Sequence, residues 1–292
     1  MTGPDRVDEG TSKGEPVGTV DGKVAFITGA ARGQGRSHAI RLAEQGADVI
    51  AVDLCAPVAS ATYPMPTPED LEETGRLIEA TGRRALTRIV DVRDDQAIAE
   101  VVQDGTAALG VIDIVIANAG ICTMDSLLTC EPSVWREVID INLTGVFNTV
   151  QSGVRPMVER GNGGCVILVS SIMGLMSSGG IPAYTAAKHG LVGLMRSVAH
   201  ELAPYRIRVN SIHPGNVRTP MIENEGMFKL FRPDLDAPTA DDVAPGFASM
   251  NIFPEPWLEA SDITDAVMWL VSDAGRYVTG VTLPIDLGAT IK

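Results

Sequence analysis

From residue 24 onward, short runs of consecutive apolar residues alternate with longer stretches in which apolar positions recur every three or four residues. The runs fall at 24–28, 48–53, 85–90, 112–117, 165–169, 207–212 and 281–286. They are apolar throughout rather than at alternate positions, which predicts strands covered on both faces and hence a parallel sheet. The periodic stretches at 35–45, 69–81, 95–109, 133–160, 184–202 and 261–272 predict helices. Regular alternation of the two predicts one α/β domain, a doubly wound, mostly parallel sheet of seven strands with helices on both faces.

Three segments break the rhythm. Residues 1–20 are rich in Gly, Pro, acidic and hydroxyl side chains, too polar to offset the entropy of ordering, and read as a flexible tail ahead of a domain at 21–292. Residues 54–68 contain Pro57, Pro64, Pro66 and Pro68 and exceed the usual strand-to-helix loop, so they read as an insertion. Residues 216–262 mix Met221, Met227, Phe228, Phe231, Met250, Phe253 and Trp257 with prolines and acids. That is too apolar to hang in water, and it reads as a lid over a substrate.

Composition narrows the function classes. A chain of 292 residues that is 45% hydrophobic can fill one sizeable core. A formal net charge of -14, with no Lys/Arg stripe, argues against nucleic acid as a partner. No apolar run approaches the roughly 20 residues needed to span a bilayer, and the start of the chain is polar and acidic, so a cytoplasmic protein with no membrane partner is expected. Cys55, Cys122, Cys130 and Cys165 form no C-x-x-C pair, and His38, His189, His200 and His213 form no ligand-like cluster. No metal is assigned.

Directly after the first apolar run comes Thr28-Gly29-Ala30-Ala31-Arg32-Gly33-Gln34-Gly35, followed by the first helix. Glycines between strand and helix let the backbone approach a pyrophosphate, and the free N–H groups and dipole of the helix start favour its charge. Asp53 ends the second run eighteen positions after Gly35, placed to accept hydrogen bonds from adenosine ribose hydroxyls, with Leu54 beside it. A carboxylate there repels a 2'-phosphate and favours NAD over NADP. Arg32 keeps the other choice open, since a guanidinium in the loop could pair with that phosphate or with Asp53. Asp91 and Val92, after the third run, could contact the adenine or form a turn.

Tyr184 and Lys188 lie four apart, on one helical face. An ammonium and a nicotinamide cation nearby would both favour the phenolate, making Tyr184 a proton acceptor. Ser171 closes the fifth run thirteen positions earlier and can reach the same crevice. Together with Asn118-Ala119-Gly120, Asn142 and Pro214-Gly215, these residues resemble the motifs of the short-chain dehydrogenase/reductase family in order and spacing, over roughly residues 21 to 288.

The resemblance implies a Rossmann-type NAD-binding oxidoreductase acting on a CH–OH group. It implies that Ser171 orients the substrate oxygen, Tyr184 moves the proton, Lys188 lowers the tyrosine pKa and binds the nicotinamide ribose, and Asn142 holds a relay water. The Asn118-Ala119-Gly120 turn, preceded by Ala117 where the family commonly has Asn, would lie beneath the cofactor. The segment containing Pro214, Gly215, Val217 and Thr219 would flank it, with Thr219 on the nicotinamide carboxamide. The insertion and the ending at 276–286 resemble the mycofactocin-associated, carveol dehydrogenase-like branch, in which NAD is implied to stay bound and to be reoxidised in place by mycofactocin. A homotetramer and a hydrophobic secondary alcohol or its ketone follow from the same resemblance and the apolar lid. An NADP-linked carbonyl reductase and a non-catalytic redox sensor are the alternatives.

Overall fold

The computed structural model describes residues 18–292. Each of the seven apolar runs is a strand, and strand and helix ends fall within two residues of the positions read from the sequence. In chain order the elements are β1 (Val24–Thr28), α1 (Gly33–Glu44), β2 (Asp48–Asp53), α2 (Pro68–Glu79), β3 (Ala85–Ile89), α3 (Asp95–Leu109), β4 (Ile114–Ala117), α4 (Pro132–Ile139), α5 (Gly145–Arg160), β5 (Gly164–Val169), α6 (Pro182–Leu202) and β6 (Ile207–Pro214). The short helices α7 (Glu225–Phe231) and α8 (Ala240–Ala248) precede α9 (Ala260–Val271) and β7 (Thr282–Ile285).

All pairings are parallel and the strand order is β3-β2-β1-β4-β5-β6-β7. The order reverses between β1 and β4, so a crevice opens there beyond the carboxyl ends of the strands. The two-sided apolar pattern has a direct cause. Phe26 of β1 packs on one layer with Val101 of α3, Val146 of α5 and Leu191 of α6. Its neighbours Ala25 and Ile27 face the opposite layer with Leu42 of α1, Leu71 of α2 and Val267 of α9. β1 therefore feeds both cores and is buried along its whole length.

Three departures are local. Val20 is buried and its N–H donates to the Gln45 carbonyl at 3.2 Å, so the packed chain begins before residue 21; the remainder of the expected tail, residues 1–17, lies outside the described residues. The single helix expected over 133–160 is two, α4 and α5, joined by a π turn at Asp140–Thr144 that carries Asn142. Within 216–262 the chain folds α7 and α8. Their aromatic side chains pack on one another, with Phe231 stacked on Phe247 at 4.2 Å and Phe247 edge-on to Trp257 at 5.8 Å.

Candidate active site

A solvent-open cleft of about 1070 Å³, the space at its mouth included, lies at the β1/β4 switch point. Its middle is the turn after β1. Gly29 adopts a φ of +67°, and a Cβ on Gly35 would come within 2.0 Å of the Gly29 carbonyl, so neither position accommodates a side chain. Asn118 fixes the same turn by donating from Nδ2 to the Thr28 and Gly29 carbonyls, each at 3.0 Å. Arg32, the residue before α1, makes no side-chain cap, which leaves the first N–H groups of the helix for an anion.

On the β2–β3 side, Asp53 is buried and accepts a hydrogen bond from the Ala31 N–H at 3.0 Å, while burial raises its pKa. The carboxylate is thereby tied to the glycine turn itself. The Arg32 guanidinium donates to the Pro64 carbonyl of the insertion, so it is engaged by protein rather than held out for a phosphate. Asp91 is bridged by Arg93, with Nη2 to Oδ2 at 2.6 Å, and also accepts the Arg93 N–H at 2.9 Å; it is a turn aspartate that also lines the cleft beside Val92. These features fit a dinucleotide: a glycine cradle, an uncapped helix start and an acid at the ribose position.

On the β5–β6 side, Tyr184 and Lys188 project from α6 into the same cleft, with the Lys188 ammonium 5.5 Å from the centre of the tyrosine ring. Lys188 is 3% exposed, and its Nζ donates to the Val169 carbonyl at 2.9 Å. Burial brings its pKa down to about 8. The phenol differs in sign from the sequence reading. Burial pushes Tyr184 above its usual range, Cys122 and Tyr63 add to the rise, and hydrogen bonding to Ser171 opposes it. The Lys188 cation, 5.5 Å from the ring centre, is placed to oppose that rise, while its own burial and its bond to Val169 temper the effect.

Ser171 and Asn142 are held by backbone contacts. Ser171 Oγ accepts the Met173 N–H at 3.1 Å. The Ser171 carbonyl meets Nδ1 of His213 at 2.7 Å, and Nε2 of that ring meets Ser211 Oγ at 2.8 Å. Burial lowers the His213 pKa to about 4, so the ring is neutral and its Nδ1–H donates to Ser171. Asn142 spends its side chain on the backbone: Oδ1 accepts the Ile121 N–H at 3.1 Å and Nδ2 donates to the Val138 carbonyl at 2.9 Å. It anchors the turn after β4, where a Cβ on Gly120 would come within 2.6 Å of its Oδ1.

Of the cofactor residues expected from the sequence, Gly29, Arg32, Gly33, Gln34, Asp53, Leu54, Asp91, Val92, Asn118, Ala119, Gly120, Tyr184, Lys188 and Thr219 line the cleft. Gly35, Pro214, Gly215 and Val217 do not. Gly35 packs behind the turn, Gly215 donates to Ile285 at 2.9 Å, and Val217 is buried in a bridge to Leu258. Their part is to shape the turns on which the lining residues sit.

The sequence marks the insertion as a loop able to cover the cofactor, but not which of its side chains reach the cleft. Val58, Tyr63, Met65 and Pro66 all line the cleft. Tyr63 is 8% exposed, and its hydroxyl accepts the Cys122 N–H at 3.2 Å. Ser60 N–H donates to Glu137 of α4 at 2.9 Å, and Glu137 pairs with Arg93 at 3.3 Å. The segment is thus tied down at Ser60, Tyr63 and Pro64. The available signal was the presence of Val58, Tyr63 and Met65 among the prolines, since apolar residues in a loop need a surface to cover. His213 was also missed; among scattered histidines only the fold reveals its partners.

A glycine-cradled crevice at a sheet switch point, with a Tyr–Lys pair on its wall, defines a nucleotide-dependent oxidoreductase. A family model described as short chain dehydrogenase matches residues 23–228, and the chain belongs to that family. It is 51% identical over 280 residues to a putative short-chain type dehydrogenase/reductase of Mycolicibacterium smegmatis, covering 94% of this chain and 99% of that one. It is 48% identical to (-)-trans-carveol dehydrogenase of Rhodococcus erythropolis, again covering 94% and 99%. The crystal structure of carveol dehydrogenase from Mycobacterium avium in complex with NAD is similar with a TM-score of 0.93 at 51% identity, covering 94% of this chain and 100% of that one. Among the described residues no helix is long and apolar enough to cross a membrane, and no group of three or more His, Cys, Asp or Glu side chains is placed to hold a metal.

Proposed function

We propose that this protein is an NAD-dependent alcohol dehydrogenase that oxidises a hydrophobic secondary alcohol, or reduces the ketone, with Tyr184 as the proton-transferring group. The observation that carries the reading is that Tyr184 and Lys188 share one cleft with the glycine turn and Asp53. The carboxylate of Asp53, bonded to Ala31, repels a 2'-phosphate, and Arg32 is held by Pro64; both favour NAD over NADP.

Ser171 orients the alcohol oxygen through its hydroxyl, fixed in place by His213. Tyr184 takes the alcohol proton. Burial makes the phenolate costly, so the phenol depends on positive charge nearby, and Lys188, still mostly protonated at neutral pH, is the protein's own source. NAD when bound supplies the hydride acceptor and a cationic ring beside the phenol. Asn142 keeps the Gly120–Ile121 turn in register beneath it. Residues 216–262, which bring Thr219, Pro220 and Met221 to the cleft, act as the lid over the alcohol. A carveol-like terpenoid alcohol suits the apolar walls supplied by Val58, Met65, Ile121 and Met221.

The strapped insertion supports a nucleotide that is retained and reoxidised in place by a small redox carrier such as mycofactocin. Trp135 and Phe147, exposed on α4 and α5, suit the self-complementary faces of a homotetramer. Denaturing the purified protein, identifying the released nucleotide by mass spectrometry and screening alcohols with an artificial electron acceptor tests the proposal. NAD together with turnover of apolar secondary alcohols is expected; NADP, or no nucleotide with rapid turnover on added NAD, counts against it.

A further inference from the structure

Gln34 carries a polar atom that the fold leaves without a partner. Its side-chain Oε1 is buried and accepts no hydrogen bond, although the residue lines the cleft. An amide oxygen taken out of water needs a donor, and the residues around it supply none.

The position of Gln34 says which donor. The cleft is crossed by the strand order, with Asp53 and Asp91 after β2 and β3 on one side of the glycine turn, and Ser170 and Thr219 after β5 and β6 on the other. Gly33, the neighbour of Gln34, approaches Thr219 so closely that a Cβ on it would lie 3.3 Å from the Thr219 methyl. This part of the turn therefore faces the Tyr184 side, away from the Asp53 end. Thr219 adds a second acceptor there, since its hydroxyl donates to the Val217 carbonyl at 3.2 Å and its oxygen keeps lone pairs free.

Pyrophosphate oxygens carry no proton at neutral pH and cannot serve Gln34 Oε1. Lys188 and Asp53 are the groups nearest the two riboses in the proposed pose. The adenine amino group belongs to the adenosine end, on the Asp53 side, which leaves for this side of the turn the primary amide of the nicotinamide ring with its two N–H bonds. We infer that Gln34 is a cofactor-reading residue: its Oε1, beside Thr219, accepts from the nicotinamide carboxamide, fixes the rotation of the ring and rejects dinucleotides that carry a carboxylate in its place. The inference rests on the dinucleotide reading of the cleft.

Binding separates the two. Full-length protein stripped of nucleotide is titrated with NAD, ADP-ribose, which lacks the nicotinamide, and nicotinic acid adenine dinucleotide, which carries a carboxylate instead of the amide. Wild type binds NAD at least about tenfold more tightly than the carboxylate analogue. Gln34→Leu loses about tenfold in NAD affinity, close to one good hydrogen bond, keeps its ADP-ribose affinity, and discriminates less between amide and carboxylate. Unchanged ADP-ribose affinity also shows that the variant is folded. Equal losses for NAD and ADP-ribose, or no loss for either, overturn the assignment to Gln34. Failure of wild type to bind NAD or ADP-ribose overturns the dinucleotide reading and the inference with it.

Discussion

The Lys188 ammonium lies 5.5 Å from the centre of the Tyr184 ring and donates to the Val169 carbonyl at 2.9 Å. One turn of α6 and the last residue of β5 thus fix the cation beside the phenol. Burial acts on both groups in opposite directions, raising the acid and lowering the base. The two are poised so that one added positive charge shifts the phenol toward its anion.

The pair sets a pH dependence. Alcohol oxidation needs Tyr184 without its proton, so kcat/KM rises with pH. The Lys188 ammonium is present below its pKa of about 8 and is lost above it. Lys188→Met removes the charge at every pH and moves the rising limb upward by about one unit or more. Profiles of kcat/KM for the two proteins, taken between neutral and alkaline pH, check this; coincident profiles contradict it.

His213 positions Ser171 through a 2.7 Å hydrogen bond to its carbonyl. His213→Leu leaves that carbonyl with only the Gly174 N–H at 2.9 Å and takes the ring partner from Ser211 Oγ, a cost of about 1 kcal/mol or more. Thermal stability falls, and kcat drops about tenfold while NAD affinity measured by titration is held. His213→Gln, which can still donate, recovers part of kcat. Recovery by Leu as well as by Gln contradicts the positioning role.

Tyr63 closes the strap. Tyr63→Phe removes the acceptor of the Cys122 N–H and weakens closure by roughly 1 kcal/mol, which corresponds to a several-fold faster release of nucleotide. Stopped-flow displacement of bound NADH by excess NAD reads the rate. An unchanged rate shows that the insertion does not gate the cofactor.

His38 governs acid stability. It is fully buried between α1 and α9, with Nδ1 on Thr264 Oγ1 at 2.8 Å and Nε2 without a partner. In the unfolded chain it takes up a proton near 6.5, in the folded protein only near 3. Between those values the unfolded state binds more protons, so stability is lost as pH falls, by roughly 2–3 kcal/mol at pH 4.5. Urea unfolding of His38→Gln shows a flatter dependence between pH 6.5 and 4.5; an equally steep fall assigns the acid lability to other groups.

Much of this architecture is legible in the order of residues. A strand such as Val24–Thr28 must be apolar at every position because Phe26 and Ile27 face different cores. The glycine turn, Asp53, Tyr184 and Lys188 are recognisable because close backbone approach and helical spacing dictate residue types at fixed intervals. What is not legible depends on depth and on long-range partners. The rise of the Tyr184 pKa reflects burial in the cleft, with Cys122 and Tyr63 adding to it. The π turn that carries Asn142 packs against α6 from a distant stretch of chain, and the tie from Tyr63 to Cys122 joins residues 59 positions apart. No local spacing encodes either.

The most direct test follows reduction of the bound nucleotide in a single turnover. Wild type and Tyr184→Phe, matched for NAD content by mass spectrometry, are mixed with an apolar secondary alcohol such as carveol, and the near-ultraviolet absorbance of the reduced nicotinamide is recorded. The account predicts prompt reduction in wild type and a rate at least about 10²-fold lower in the variant. Equal rates at equal NAD content contradict it.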